Sequence, residues 1–284
     1  MVPDSDTQTV FISQLLHVRY PGVAKELRSV LAGQLKIISE AKDIWCRDYM
    51  PIQLDMNRYV QFRYDPDYLR CDPQLRTQNG FALLNLTNCI QSDLVIDGGN
   101  IVRWNNTAIV TDKIYQENKG LSQRQLRAEL KRTLEIDRLV IIPSEKGDKI
   151  GHSDGMVRFI DNQKVLVNDY SAVDPHLGAK LASILKHAGF EVIRFPYMPS
   201  NEAGSDPEIA SAVGVYINYL QVKKMIICPV FGLPEDDMAI KILKKHFPCQ
   251  KIIPMLCREL AEEGGVLNCI TWNIKTVKRT GRIS

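Results

Sequence analysis

At 284 residues the chain is long for one ordinary domain and short for two large ones, and a single domain over residues 1–284 is the expectation. Hydrophobic residues at 45% and charged residues at 24% allow a packed core and exclude global disorder. A formal charge of +3, with a basic run only from Lys275 to Arg282, argues against nucleic acid as a partner; no apolar run approaches the ~18 residues of a membrane span, and the acidic start argues for the cytoplasm.

In chain order, Val23, Leu27, Val30 and Leu31 make a helical stripe, and Leu35 to Ile38 a short apolar strand. Alternation then gives a hairpin, Pro51 to Leu54 with Tyr59 to Phe62 across Asp55-Met56-Asn57. Phe81 to Ile90 is a poor helix that reads equally as strand. A second hairpin pairs Ile101 to Arg103 with Ala108 to Val110. Ser122 and Gln125 form a capping box ahead of Leu126, Leu130 and Leu134, with a strand at Leu139 to Ile142. Met156 to Phe159 pairs with Val165 to Val167 across Asp161-Asn162-Gln163. Asp174 as N-cap and Pro175 at the first helical position precede Leu177, Leu181, Ile184 and Leu185, with Gly189 as the stop and Phe190 to Phe195 as strand. Tyr216 to Leu220 pairs with Met225 to Cys228 across Val222-Lys223-Lys224. A helix from Glu235 through Lys245 leads to the strand Lys251 to Met255.

The order helix, strand, loop, hairpin therefore recurs, with loops near Asp48, Asp97, Asp154, Asn218 and Cys269 at a spacing of roughly 50 to 65 residues. Five such units can close around an axis and bring their loops to one site. An open α/β sheet with unrelated loops fits the periodicity equally well.

The seven cysteines are odd in number and irregularly spaced, which argues against a disulfide framework. No CxxC pair or HExxH helix is present, so no metal site is expected. Most of the cysteines read as small buried hydrophobes.

The loops carry WCRDYMP (Trp45 to Pro51), VIDGGNIV (Val95 to Val102), GDKIGHSDGMVRF (Gly147 to Phe159) and GGVLNCITW (Gly264 to Trp272). In series these resemble the guanidino-group modifying, or pentein, superfamily, particularly its agmatine deiminase and bacterial-type peptidylarginine deiminase branch. The resemblance covers nearly the whole chain and implies a five-fold pseudo-symmetric α/β propeller. It implies a hydrolase that converts agmatine or a related small guanidine to a ureido product and ammonia, with no cofactor.

Two carboxylates suit a guanidinium, a planar cation with its N–H groups in a rigid fork. The resemblance assigns that grip to Asp48 and Asp154, the nucleophile to Cys269, and the proton transfers to His152. His152 and Asp154, two residues apart, share a face if the segment is extended. Asp148 matches an acidic position that contacts the histidine or the substrate. Trp45 matches a tryptophan that packs on the substrate's stem, burial in the core being the ordinary alternative. Asp97 and Asn100, flanking two glycines, read as pocket wall or as the start of a hairpin. Asn218 matches an active-site asparagine. Cys269 is expected at the mouth of the final hairpin. Cys46, two residues before Asp48 on a segment read as extended, is expected on the pocket wall.

Two departures concern the substrate: Asn268 stands where many agmatine deiminases have histidine before the nucleophile, and the chain is shorter than they are. The fold equally hosts amidinotransferases, arginine and peptidylarginine deiminases, and non-catalytic guanidine binders. Arg158, Arg63 and Arg103 are the candidates to pair a substrate carboxylate, and a homodimer is the default assembly.

Overall fold

The computed structural model describes residues 1–199 and 209–276. Helices form where stripe and cap agree. Pro21–Leu31 begins on proline, whose missing N–H costs nothing in a first turn, and buries Val23, Ala24, Leu27 and Leu31. Gln123–Leu134 opens on the complete capping box, in which Ser122 accepts from the Gln125 N–H and the Gln125 side chain accepts from the Ser122 N–H. Such a cap contributes about 1 kcal/mol. Pro175–His187 is capped by Asp174, which accepts from the Leu177 N–H at 2.9 Å. Asp236–His246 presents Ala239 and Leu243 to the core.

One unit departs. Between Arg63 and Cys89 three short 3-10 turns (Asp67–Leu69, Pro73–Leu75, Ala82–Leu84) replace the helix. Pro66 and Pro73 interrupt any longer helix there, and the following strand runs from Cys89 to Val95, later than the sequence suggests.

Five three-stranded sheets result. In each, the second strand of a hairpin is central. It runs antiparallel to its hairpin partner and parallel to the strand delivered by the crossover, as Val165 does between Phe159 and Val192. The fourth hairpin is tighter than expected, with Val222 opposite Met225 across Lys223-Lys224, and Tyr216 to Tyr219 lie outside it. The fifth sheet closes the ring: Trp272–Ile274 pairs antiparallel with Thr9–Phe11, whose strand runs parallel to Leu35–Ile38. Cys269 therefore precedes a hairpin-like pair whose second strand comes from the start of the chain. Five separate sheets rule out the open sheet and make the fold the five-fold pseudo-symmetric α/β propeller.

Each first strand carries a polar residue between apolar neighbours: Gln53, Arg103, Arg158, Gln221 and Asn273, all buried. The outer faces bury apolar clusters against the helices, for example Val60, Phe62 and Val110 with Leu126, Leu130 and Leu134. Each fully buried side chain of this size contributes about 1.5–3 kcal/mol. Among the described residues no helix is long and apolar enough to cross a membrane.

Candidate active site

The segments joining one sheet to the next hold short turns: a one-turn helix at Cys46–Tyr49, 3-10 turns at Gly98–Asn100 and Ser153–Gly155, and irregular turns ahead of Leu220 and Trp272. The Gly99 N–H donates to Asp48 Oδ1 at 3.0 Å. A Cβ at Gly99 would lie 2.6 Å from His152 Nδ1 and 2.7 Å from Asp48 Oδ1, so only glycine lets these two side chains approach. His152 Nε2 is 3.0 Å from Asp97 Oδ2, and Nδ1 is 3.6 Å from Asp48 Oδ1.

All three of these side chains are buried. Burial alone would lower the His152 pKa, but the Asp48 and Asp97 carboxylates outweigh it and hold the ring up at about 9. The two carboxylates thus favour the protonated ring. Burial pushes the Asp48 carboxyl up, His152 pulls it down, and Asp97 and Asp154 push it up again, to about 7.

Cys269 sits in the turn before Trp272–Ile274. Its N–H donates to Asn218 Oδ1 at 3.3 Å, and the Asn218 carbonyl accepts from the Asn268 N–H at 3.1 Å, so Asn218 fixes the backbone at Cys269. A Cβ at Gly265 would lie 2.5 Å from the Trp45 ring and 3.1 Å from Cys269 Cβ; the glycine lets the indole lie against this loop. Sγ is 3.8 Å from Asp154 Oδ2. Burial first, then Asp154 and Asp48, push the thiol well above its ordinary value. A cation placed between the carboxylates reverses that field and favours the thiolate.

Two small recesses meet at Cys269 and His152. One, of about 100 Å³, is lined also by Glu145, Asp148, Asp154, Tyr197 and Asn218. The other, of about 30 Å³, has Trp45, Asp48, Tyr68 and Ile150 on its walls.

The structure thus brings Cys269, His152, Asp154, Asp48, Trp45, Asn218 and Asp148 to one place. Asp97 and Asn100 take the hairpin-start alternative instead of the pocket wall, and Asp148 lies on the recess wall without the histidine contact. Asp97 stands behind His152 as its hydrogen-bond partner and lines neither recess. Asn100 also stays off the wall: its Oδ1 accepts from the Thr111 N–H (2.9 Å), the Thr111 hydroxyl (3.0 Å) and the Ser153 N–H (3.2 Å), tying the histidine turn to a neighbouring strand. Asp148 reaches the rim without touching His152; it accepts from the Ile150 and Gly151 N–H groups at 2.8 and 2.9 Å and so shapes the loop.

Geometry differs elsewhere too. His152 precedes a 3-10 turn and Asp154 lies within it, instead of the two alternating on an extended strand, yet both reach the site. The helical turn at 46–49 points Cys46 into the core, where Sγ lies 3.0 Å from the Tyr49 hydroxyl and burial pushes the thiol up to about 12. The candidate arginines do not face the recesses. Arg103 and Arg158 each reach the Asp4 carboxylate at 3.0 Å, and Arg63 pairs with Asp65 at 2.8 Å.

Sequence reasoning missed two residues, Lys113 and Arg47, and the contacts of a third, Asn268. Lys113 Nζ donates to the carbonyls of Lys149 and Ile150, both at 2.8 Å, pinning the loop that carries His152. Arg47 and Asn268 bond to one another beside Cys269 at 3.0 Å, and only its place inside a motif marked Arg47. Among the described residues no group of three or more His, Cys, Asp or Glu side chains is arranged to hold a metal.

Residues 9–274 match the family model described as Porphyromonas-type peptidyl-arginine deiminase. Agmatine deiminase of Stutzerimonas stutzeri is 29% identical over 207 residues, 62% of this chain and 56% of that protein, so the chain spans little more than half the length of this relative. In structure, substrate-bound agmatine deiminase of C. jejuni superposes with a TM-score of 0.76 at 17% identity, covering 96% of this chain and 95% of the other. DDAH from Pseudomonas aeruginosa gives 0.58 at 10% identity over 94% and 99% of the two chains, which places both within one fold.

Proposed function

The chain belongs to the Porphyromonas-type peptidyl-arginine deiminase family, and on that premise we propose that it is a cysteine hydrolase converting a small guanidine, agmatine first among them, to its ureido product and ammonia. One observation carries the reading. The Cys269 thiol and the His152 ring border both recesses, with the Asp154 carboxylate on the wall of the larger, the Asp48 carboxylate on the wall of the smaller, and Asp97 holding the histidine from behind.

A guanidinium held between Asp48 and Asp154 lowers the thiol pKa by its charge, so thiolate forms where it is needed. Sulfur attacks the central carbon to give a tetrahedral adduct. His152 protonates one amino group, which leaves as ammonia, and a cationic thiouronium remains on Cys269. The now neutral His152 takes a proton from water as its oxygen attacks that carbon. Collapse breaks the C–S bond and returns the thiolate, and the hydroxyl proton of the ureido product passes to the released ammonia, giving ammonium. Guanidinium and water become urea and ammonium, so atoms and charge balance.

The larger recess favours a cationic tail. Its rim bears Glu145 and Asp148 beside Tyr197, and among the described residues no lysine or arginine lines it. A terminal ammonium fits there and a free carboxylate does not. Seven unpaired cysteines suit a reducing compartment, in keeping with a cytoplasmic enzyme.

The test is ammonia release from agmatine, arginine and a blocked peptidylarginine, with and without an acceptor amine. Agmatine should lead arginine in kcat/KM by on the order of 10² or more, the scale set by an unpaired buried charge. Equal rates would remove the tail assignment, amidino transfer without ammonia would make the protein a transferase, and no turnover would leave a binding protein.

A further inference from the structure

We infer that Asn268 is a positioning residue for this chemistry: anchored on Arg47, it holds the Asp154 carboxylate in the orientation that grips a cation beside Cys269. The inference rests on the hydrolase reading above and concerns the position where the sequence departs from the resembling deiminases.

The Asn268 Nδ2 donates to Asp154 Oδ2 at 2.6 Å, the same oxygen that lies 3.8 Å from Cys269 Sγ. An amide is free to flip unless its two ends are told apart, and here they are. Asn268 Oδ1 accepts from Arg47 Nη2 at 3.0 Å, and the Asn268 backbone carbonyl accepts from Arg47 Nε at 3.3 Å. Turned over, the amide would set NH₂ against guanidinium and oxygen against carboxylate, two repulsive contacts in place of two charge-assisted bonds. Arg47 therefore dictates which end of Asn268 meets Asp154.

Arg47 is itself fixed from the far side. Its Nη2 lies 2.5 Å from Asn273 Oδ1 and its Nη1 3.9 Å from Asp4 Oδ1. Both Arg47 and Asn268 are buried, so neither reorients through solvent. The result is a directed chain: Asp4 and Asn273 orient Arg47, Arg47 orients Asn268, and Asn268 commits one oxygen of Asp154, leaving the other to accept from substrate. A carboxylate so held loses little orientational entropy when the guanidinium arrives.

A role confined to shaping the nucleophile's turn would act on every reagent that reaches Cys269. A role through Asp154 acts on cations alone. The test compares alkylation of Cys269 by 2-chloroacetamidine, a planar cation, with alkylation by neutral iodoacetamide; each forms a C–S bond and expels halide. In the unmodified protein the cationic reagent should react preferentially. Asn268→Leu, close in volume, should reduce the cationic-to-neutral rate ratio at least tenfold with the neutral rate within threefold, and should raise KM for agmatine more than it lowers kcat. Asn268→His, which restores a donor, should recover most of the ratio. Melting temperatures check folding, and Asn268→Ser carries the same comparison if the leucine variant does not fold. An unchanged ratio, or equal loss of both rates, overturns the inference. If the unmodified protein shows no cationic preference, the hydrolase reading fails first and the inference falls with it.

Discussion

The two sides of Asp154 carry opposite charge arrangements. Toward Cys269, the carboxylates Asp48, Asp97 and Asp154 share one buried region with a single imidazolium, and burial pushes both the Asp48 carboxyl and the Cys269 thiol upward. Behind Asp154, the guanidinium groups of Arg47, Arg103 and Arg158 converge on Asp4, whose carboxyl they hold down at about 2 although burial alone would raise it. One side is incomplete until a cation arrives; the other makes the guanidinium–carboxylate pairing within the chain. The same chemistry serves affinity where it is left open and stability where it is closed.

That contrast breaks most sharply at the nucleophile. Cys269→Ala should lower turnover by on the order of 10⁴-fold or more with an unchanged melting curve, because it removes the reacting atom and little packing. Residual activity within tenfold of the parent would remove Cys269 from the mechanism.

His152→Asn should slow kcat about 10²-fold at saturating agmatine with KM nearly held, since the carboxylates remain. In the parent protein kcat/KM should decline as pH rises through about 9, where the imidazolium loses its proton, and the variant should lack that limb. The sign for stability follows from the raised pKa. The contribution of His152 is complete below its ordinary 6.5 and is lost as pH rises through about 9, which denaturant titrations at pH 6 and 10 measure.

Asp4→Asn probes the closed side. Three buried guanidinium groups lose their shared carboxylate, at a cost of about 3 kcal/mol, while kcat changes by no more than several-fold. Because the Asp4 pKa is depressed, its stabilisation is full above the ordinary 3.8 and disappears as pH falls through about 2. A parent and variant with the same urea midpoint at pH 7 would show that Asp4 does not hold the cluster. Cys46→Ser should be the mildest change, with kcat/KM within about tenfold, roughly 1.4 kcal/mol, because the Tyr49 hydroxyl can partner a serine as it does the thiol. A dead enzyme would return Cys46 to candidacy as the nucleophile.

Short-range signals are legible in the sequence. Asp174 with Pro175, and Ser122 with Gln125, define helix starts because their hydrogen bonds close within three residues. The four loop motifs hold most of the side chains that meet at the two recesses, because those side chains are concentrated in short segments. The Asp97 bond to His152 spans 55 residues and the Arg47 bond to Asn268 spans 221, and such pairs exist only after five loops have met. The buried set Gln53, Arg103, Arg158, Gln221 and Asn273 has a signal, a polar residue between apolar neighbours in each first strand, hidden because the residue types differ. Alternation starts the fourth hairpin too early because Tyr216 and Asn218 continue a pattern whose side chains serve a loop: the Tyr216 hydroxyl binds Asp236, and Asn218 binds the Cys269 turn.

Closure of the ring by the strand Trp272–Ile274 also sets an order of events during synthesis. This strand follows the nucleophile by only a few residues, and its pairing partner Thr9–Phe11 has left the ribosome long before. Four blades can be complete while the thiol still lacks Asn218, Asp154 and Trp45 around it. The thiol gains these neighbours only when the strand that follows it closes the ring on Thr9–Phe11, so the surroundings of Cys269 depend on the joining of the two segments most distant in the described chain.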